Sequence, residues 1–186
     1  PYRRQRQMCI RDSTQGDLVE AIDNANIARK SIKGFHKGGC AIFEEGMKRR
    51  LSAEAQMANR MEYALENREF VVYLQPKVAL RDGRMVGAEA LVRWAHPEWG
   101  LQSPAEFIPL FERNGFITKL DRFVWDRSCS FLRKWDDAGL PSIPVSVNVS
   151  RADIYQADIA EILLGTVRKY GLAPARLHLE ITESAY

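Results

Sequence analysis

The sequence predicts an α/β chain whose main part is a (β/α) barrel. Three observations lead there. Short strand-like runs alternate with amphipathic helical stretches, the order that produces βαβ units and a mostly parallel sheet. Each run alternates between aliphatic and polar side chains, so each strand has one apolar and one polar face. The polar faces hold Gln75, Glu89, Arg93, Asn148 and Glu180. A barrel turns its apolar strand faces outward onto helices, and its inward polar residues near strand C-termini build the active site. An antiparallel sheet with one wet face alternates in the same way. The helical crossovers favour the barrel.

Residues 1–13 carry little fold information. Arg3, Arg4, Arg6 and Arg11 against Asp12 account for the whole formal charge of +3, so the chain from Ser13 onward is neutral. No basic excess is left to recognise nucleic acid, so no DNA or RNA binding is expected. The run from Gln7 to Ser13 resembles a translated transposon-end adapter; a basic disordered tail is the alternative, and either lies outside the fold. Residues 17–33 read as a helix, with Leu18, Ala21, Ile22, Ala25 and Ala28 at three- and four-residue steps and Gly34 as its stop. Cys40-Ala41-Ile42-Phe43 predicts a short strand. Residues 44–67 place Met47, Leu51, Ala55, Ala58, Met61 and Leu65 on one stripe and read as a connector helix, although an ordinary surface helix carries the same stripe.

Strands are predicted at 70–78, 84–94, 144–150 and 176–183, the first two joined by a tight turn at Arg81-Asp82-Gly83. Residues 107–112 predict a single turn of helix. Residues 119–137 align Leu120, Phe123, Val124, Phe131, Leu132 and Trp135 and stop at Gly139. Residues 153–170 align Ile159, Ile162, Leu163 and Val167 and stop at Gly171. Parity sorts the strands: Glu89, Leu91 and Arg93 share a face, as do Ser146, Asn148 and Ser150, His178 and Glu180, and Tyr73 and Gln75. Glu183 has the opposite parity to Glu180.

Composition narrows the class further. With 46% hydrophobic and 27% charged residues the chain is ordinary globular protein, and it has no apolar run long enough for a membrane span. Cys9, Cys40 and Cys129 lie far apart, which excludes a disulfide framework or thiolate zinc site and points to a reducing compartment. The cytoplasm is the expected location, with room for a membrane anchor upstream in a longer parent protein.

Tyr73-Leu74-Gln75-Pro76, Glu89-Ala90-Leu91-Val92-Arg93-Trp94, His96-Pro97, Pro104 with Phe107-Ile108-Pro109, Val147-Asn148-Val149-Ser150 and Leu179-Glu180-Ile181-Thr182-Glu183-Ser184 occur in this order. Together they resemble the EAL phosphodiesterase family over residues 68–186. Upstream, Ala25 to Lys30 and on to Phe43 is similar to the last helix and strand of a GGDEF domain. The organisation expected is therefore a scar or tail at 1–13, a GGDEF-like remnant at 14–46, a connector helix at 47–67 and the first half of an EAL domain at 68–186. A whole (β/α)8 TIM-like barrel takes roughly 250 residues, so about half of one is expected.

The resemblance implies hydrolysis of cyclic di-GMP to linear pGpG with Mg²⁺ or Mn²⁺. It implies that Glu89, Asn148 and Glu180 ligate metal, that Gln75 and Arg93 hold the dinucleotide, that Leu91 forms an apolar wall, and that Glu183 stabilises an active-site loop. Hard oxygen donors of these types suit Mg²⁺. The family's Asp-Asp pair and general-base lysine follow the fifth strand, so they are expected beyond residue 186; Asp136-Asp137, at a helix end, is not that pair. The chain alone is expected to be inactive. A homodimer through the EAL domain is one partner arrangement the resemblance allows. The residues themselves leave blander readings open: Glu89 and Arg93 as an interior ion pair, Asn148 as a buried amide bonded to backbone, His178 as a satisfied core histidine and His96 as structural. A catalytically silent EAL receptor for cyclic di-GMP or a protein partner is the main alternative; an unrelated TIM-barrel enzyme would need every motif to coincide by chance.

Overall fold

A computed structural model describes residues 18–31, 40–155 and 158–181. The chain divides into two compact units, Pro1–Met57 and Ala58–Tyr186. The first unit holds α1 (Leu18–Ser31) and the start of α2 (Glu45–Glu66), which runs on into the second unit. Residues 40–44 form no strand, contrary to expectation, and Ile42 is 80% exposed. A strand needs a partner for its backbone groups, and the described residues give this run none. Gly34 lies outside the described residues.

The second unit is built on one mixed sheet. Its strands are β1 (Phe70–Val78), β2 (Met85–His96), β3 (Gly100–Gln102), β4 (Val145–Val149) and β5 (Leu177–Ile181). The order is β1-β2-β4-β5, with β3 on β2. β1 and β3 run antiparallel to β2, whereas β2–β4 and β4–β5 are parallel. Helices α3 (Pro104–Asn114) and α4 (Ile117–Asp137) cross from β3 to β4; α5 (Arg151–Ile154) and α6 (Ile159–Lys169) cross from β4 to β5. The sheet is thus a hairpin followed by two βα crossovers. The α/β, barrel-like architecture expected is the one observed, but the sheet is mixed and not mostly parallel, because the tight turn after β1 and the short return into β3 make antiparallel pairs with β2.

The apolar strand faces explain why. Ala88, Ala90, Val145, Val147, Val149 and Leu177 pack against Val124, Trp125, Cys129 and Leu132 of α4 and Leu163 and Val167 of α6. Burying each such aliphatic side chain contributes roughly 1.5–3 kcal/mol, which fixes the parity of every strand: a one-residue slip would expose the whole set. At the hairpin end, Phe70, Trp94, Phe107, Phe111 and Phe116 form an aromatic cluster with ring centroids 4.8–6.5 Å apart.

Two helices differ from expectation for identifiable reasons. α3 spans 11 residues where a single turn was expected: Ser103 accepts from the Ala105 N–H at its start, Pro104 occupies its first turn, and Gly115 closes it at φ 81°. The expected helix at 153–170 is two helices. Asp153, only 1% exposed, belongs to the short α5 capped by Ser150, and Asp158 precedes the longer α6. β3 was not foreseen at all; it is the three-residue return that begins at Gly100, whose φ of 71° permits the tight turn.

Candidate functional site

The polar face of the sheet gathers the residues singled out from sequence. Gln75 of β1 pairs with Glu89 of β2, and Glu89 pairs with Ser146 of β4. Two residues along β4 on the same face is Asn148, which pairs with Glu180 of β5. Glu89, Asn148 and Glu180 therefore occupy one face of three neighbouring strands that share a direction. Asn148 and Glu180 are each the penultimate residue of their strand. Glu89 is not at the end of β2, as had been expected. The parallel ladder nevertheless stops at Glu89, and β2 runs on paired with β1 and β3.

Leu91 and Arg93 continue the same face of β2, opposite Tyr73 and Val71. Glu89, Leu91, Arg93, Asn148 and Glu180 are half-buried, and Gln75 is exposed. Arg93 donates from Nη1 to the Val92 carbonyl at 2.8 Å and forms no ion pair with Glu89 among the described residues, so the interior-pair reading does not hold. His178 is exposed and not a core histidine: it stands on β5, the last strand of the sheet path. His96 is structural, 6% exposed; its Nδ1 accepts from the Glu98 and Trp99 N–H groups and its ring stacks on Trp99. Glu183 lies outside the described residues.

Sequence reading missed Lys77. Its Nζ donates to Ser146 Oγ at 2.9 Å and pairs with Glu180 Oε1. This hydrogen bond holds the Glu180 carboxyl below its ordinary range, against a smaller opposing effect of burial. Continuing the alternation of Tyr73 and Gln75 by one pleat would have found it. Also missed was the support behind Asn148. Trp125 Nε1 of α4 donates to the Asn148 carbonyl at 3.1 Å, and the Ser150 N–H donates to Asp121 Oδ2 at 3.3 Å. Ser150 Oγ donates to Asp153 Oδ2 at 2.5 Å. Burial and a hydrogen bond to Asp153 push Asp121 up to about 9, so it keeps its proton at neutral pH.

The donor set is oxygen only: two carboxylates and an amide. Among the described residues no three His, Cys, Asp or Glu side chains converge on a metal position. Oxygen ligands from carboxylates and amides suit a hard divalent cation, and an ionised Glu180 is already in the ligating form. These residues fit such a cation.

The EAL domain family model matches residues 58–186. This chain belongs to the EAL domain family. It is 34% identical over 165 residues to the bifunctional diguanylate cyclase/cyclic di-GMP phosphodiesterase MucR of Pseudomonas aeruginosa, an alignment covering 89% of the chain and 24% of that relative. It is 35% identical over 166 residues to the cyclic di-GMP phosphodiesterase NbdA of the same organism, covering 89% of the chain and 21% of that protein. The solved cyclic di-GMP complex of the MucR phosphodiesterase superposes with a TM-score of 0.67 at 37% identity, over 70% of this chain and 53% of that one. This EAL chain thus spans under a quarter of the length of these curated relatives and about half of the solved domain. No helix among its described residues is long and apolar enough to cross a membrane.

Proposed function

We propose that this chain carries the first half of a metal-dependent cyclic di-GMP phosphodiesterase domain, with the end of a GGDEF-like domain at 14–46 and a connector helix at 47–67. The observation that carries the reading is the gathering of Glu89, Asn148 and Glu180 on one sheet face with Gln75 and Arg93 beside them. Glu89, Asn148 and Glu180 would hold Mg²⁺ or Mn²⁺ through oxygen. A bound divalent cation supplies Lewis acidity toward a phosphoryl oxygen and acidifies a bound water. Arg93 contacts a phosphate of the dinucleotide with its planar guanidinium, which suits two oxygens at once. Gln75 contacts the dinucleotide through its amide, Leu91 walls the ligand on its apolar side, and Glu183 has the loop-stabilising role that the family resemblance implies. The names of MucR and NbdA, which identify both as cyclic di-GMP phosphodiesterases, support the substrate.

The described sheet has two free ends, β1 and β5, and a (β/α)8 barrel completes its active site with residues from further strands. Incubating the purified chain with Mn²⁺ and cyclic di-GMP is expected to give no pGpG by chromatography. The full-length protein that contains it is expected to convert the dinucleotide. Turnover by the chain alone contradicts the half-site reading. Binding without turnover by the full-length protein assigns a receptor role and contradicts the enzyme.

A further inference from the structure

Lys77 brings a positive charge onto the polar face from a strand that supplies none of the three oxygen donors. It stands one pleat beyond Gln75 on β1, and its partners Ser146 and Glu180 lie on β4 and β5. The side chain therefore crosses β2. Its ladder partner on β2 is Gly87, which has no side chain. Gly87 is nearer the N-terminal end of β2 than Glu89, whereas Arg93 is nearer the C-terminal end. The ammonium thus reaches Glu180 from the end of the parallel strands opposite to Arg93.

We infer that Lys77 is a positioning residue for Glu180, fixing its carboxylate from the N-terminal end of the parallel strands so that it faces a divalent cation at their C-terminal end. The inference rests on the reading of Glu180 as a metal ligand. A carboxylate offers about four lone-pair sites, so bonding to Lys77 leaves room for a metal. A charge-assisted hydrogen bond is short and directional, and it removes rotamer freedom that metal binding would otherwise have to freeze. The same ammonium donates to Ser146 Oγ at 2.9 Å, which fixes it between β4 and β5. A fixed cation also repels an incoming metal. With the lysine side chain 41% exposed and the glutamate 37% exposed, however, water and salt screen that repulsion, while the orienting bond remains. Orientation outweighs repulsion. Partners that hold a ligating carboxylate in this way commonly change metal affinity by about 10- to 100-fold when removed.

The test is a Mn²⁺ titration of the full-length protein that contains this chain, followed by the electron paramagnetic resonance signal of the free ion. It compares the unsubstituted protein with Lys77→Met, Lys77→Arg, Glu180→Gln and the Lys77→Met/Glu180→Gln pair, each checked for fold by circular dichroism. Lys77→Met is expected to weaken Mn²⁺ binding about tenfold, with Lys77→Arg recovering most of the loss. Once Glu180 is glutamine, the lysine change should have no further effect. Unchanged binding by Lys77→Met overturns the inference, and so does tighter binding, which would make the lysine a competitor of the metal. A full-length protein that binds no Mn²⁺ at all contradicts the metal reading instead. The inference is then decided by urea unfolding of the unsubstituted protein, Lys77→Met, Glu180→Gln and their pair: non-additive effects of the two single substitutions support the Lys77–Glu180 link, and additive effects overturn it.

Discussion

Asp121 is a carboxylic acid kept neutral by its surroundings. It lies on α4, 8% exposed, against Asp153 and the backbone of Ser150. Burial disfavours its ionised form, and a hydrogen bond to Asp153 with the repulsion beside it adds to that, so Asp121 keeps its proton. Its folded-state value of about 9 lies above the unfolded value of about 4. The stability this proton contributes is fully present below pH about 4 and is lost progressively as pH rises toward about 9, because the unfolded chain releases the proton first. Asp121→Asn keeps a donor for Asp153 and has no proton to lose. The variant is therefore expected to melt higher than the unsubstituted chain at pH 8, by at least about 1 kcal/mol or 2–4 °C, and to show a flatter fall from pH 5 to pH 9. Melting curves at several pH values check this; parallel pH profiles for the two proteins would contradict it. Nothing in the sequence signals the pair, because Asp121 and Asp153 are 32 positions apart and meet only through tertiary packing. Lys77 was legible by parity alone. Parity put Glu89, Asn148 and Glu180 on polar strand faces along with Ser146 and His178; the resemblance to the EAL family singled them out.

At the scale of elements, the strands were read well where both faces had a clear preference. β1 was anticipated to the residue, and β2, β4 and β5 to within two, because valines and alanines under α4 and α6 fix their parity. The misses have local causes. β3 has three residues, too few for an alternation to show. The break between α5 and α6 follows from Asp153 serving a capping turn, which an apolar stripe cannot reveal. The lone run at 40–43 had the composition of a strand but no neighbour. The close approach of β2 and β4 gives an element-scale prediction. A Cβ built on Gly87 would meet the Pro144 carbonyl oxygen at 3.1 Å, and that oxygen accepts from the Ala88 N–H at 3.1 Å. Gly87→Ala must push the start of β4 away and strain this bond, so a loss of about 1–3 kcal/mol is expected, as for other overpacked cores. Urea unfolding of the variant checks this. Unchanged stability would mean that the β2–β4 ladder gives way without cost at its first rung.

Across the whole molecule, the described sheet is an open path from β1 to β5, packed on an apolar layer. Leu179 and Ile181 of β5 are 47% and 50% exposed, although they share a face with buried Leu177 and pair with buried Val147 and Val149. In a whole barrel a further helix covers that face and a further strand takes that edge. This agrees with the chain covering 53% of the solved MucR phosphodiesterase domain. The fold class was legible from strand parity and helical crossovers together; the mixed direction of the first two strands was implicit in their short turn. The functional reading depends on one electrostatic arrangement, in which oxygen donors on three strands hold a divalent cation next to the dinucleotide. Glu89→Gln tests it with least disturbance, since the swap is nearly isosteric and removes one negative charge. The measurement is kcat for cyclic di-GMP hydrolysis across a Mn²⁺ titration, made on the full-length protein carrying this chain. Glu89→Gln is expected to lower kcat at least about 100-fold at ordinary Mn²⁺ concentrations and to weaken dinucleotide binding far less, because a ligating carboxylate acts on the transition state through the metal. Arg93→Ala should instead raise KM with little change in metal dependence. Turnover by Glu89→Gln equal to the unsubstituted protein would show that Glu89 holds no metal and is a structural residue of the barrel interior.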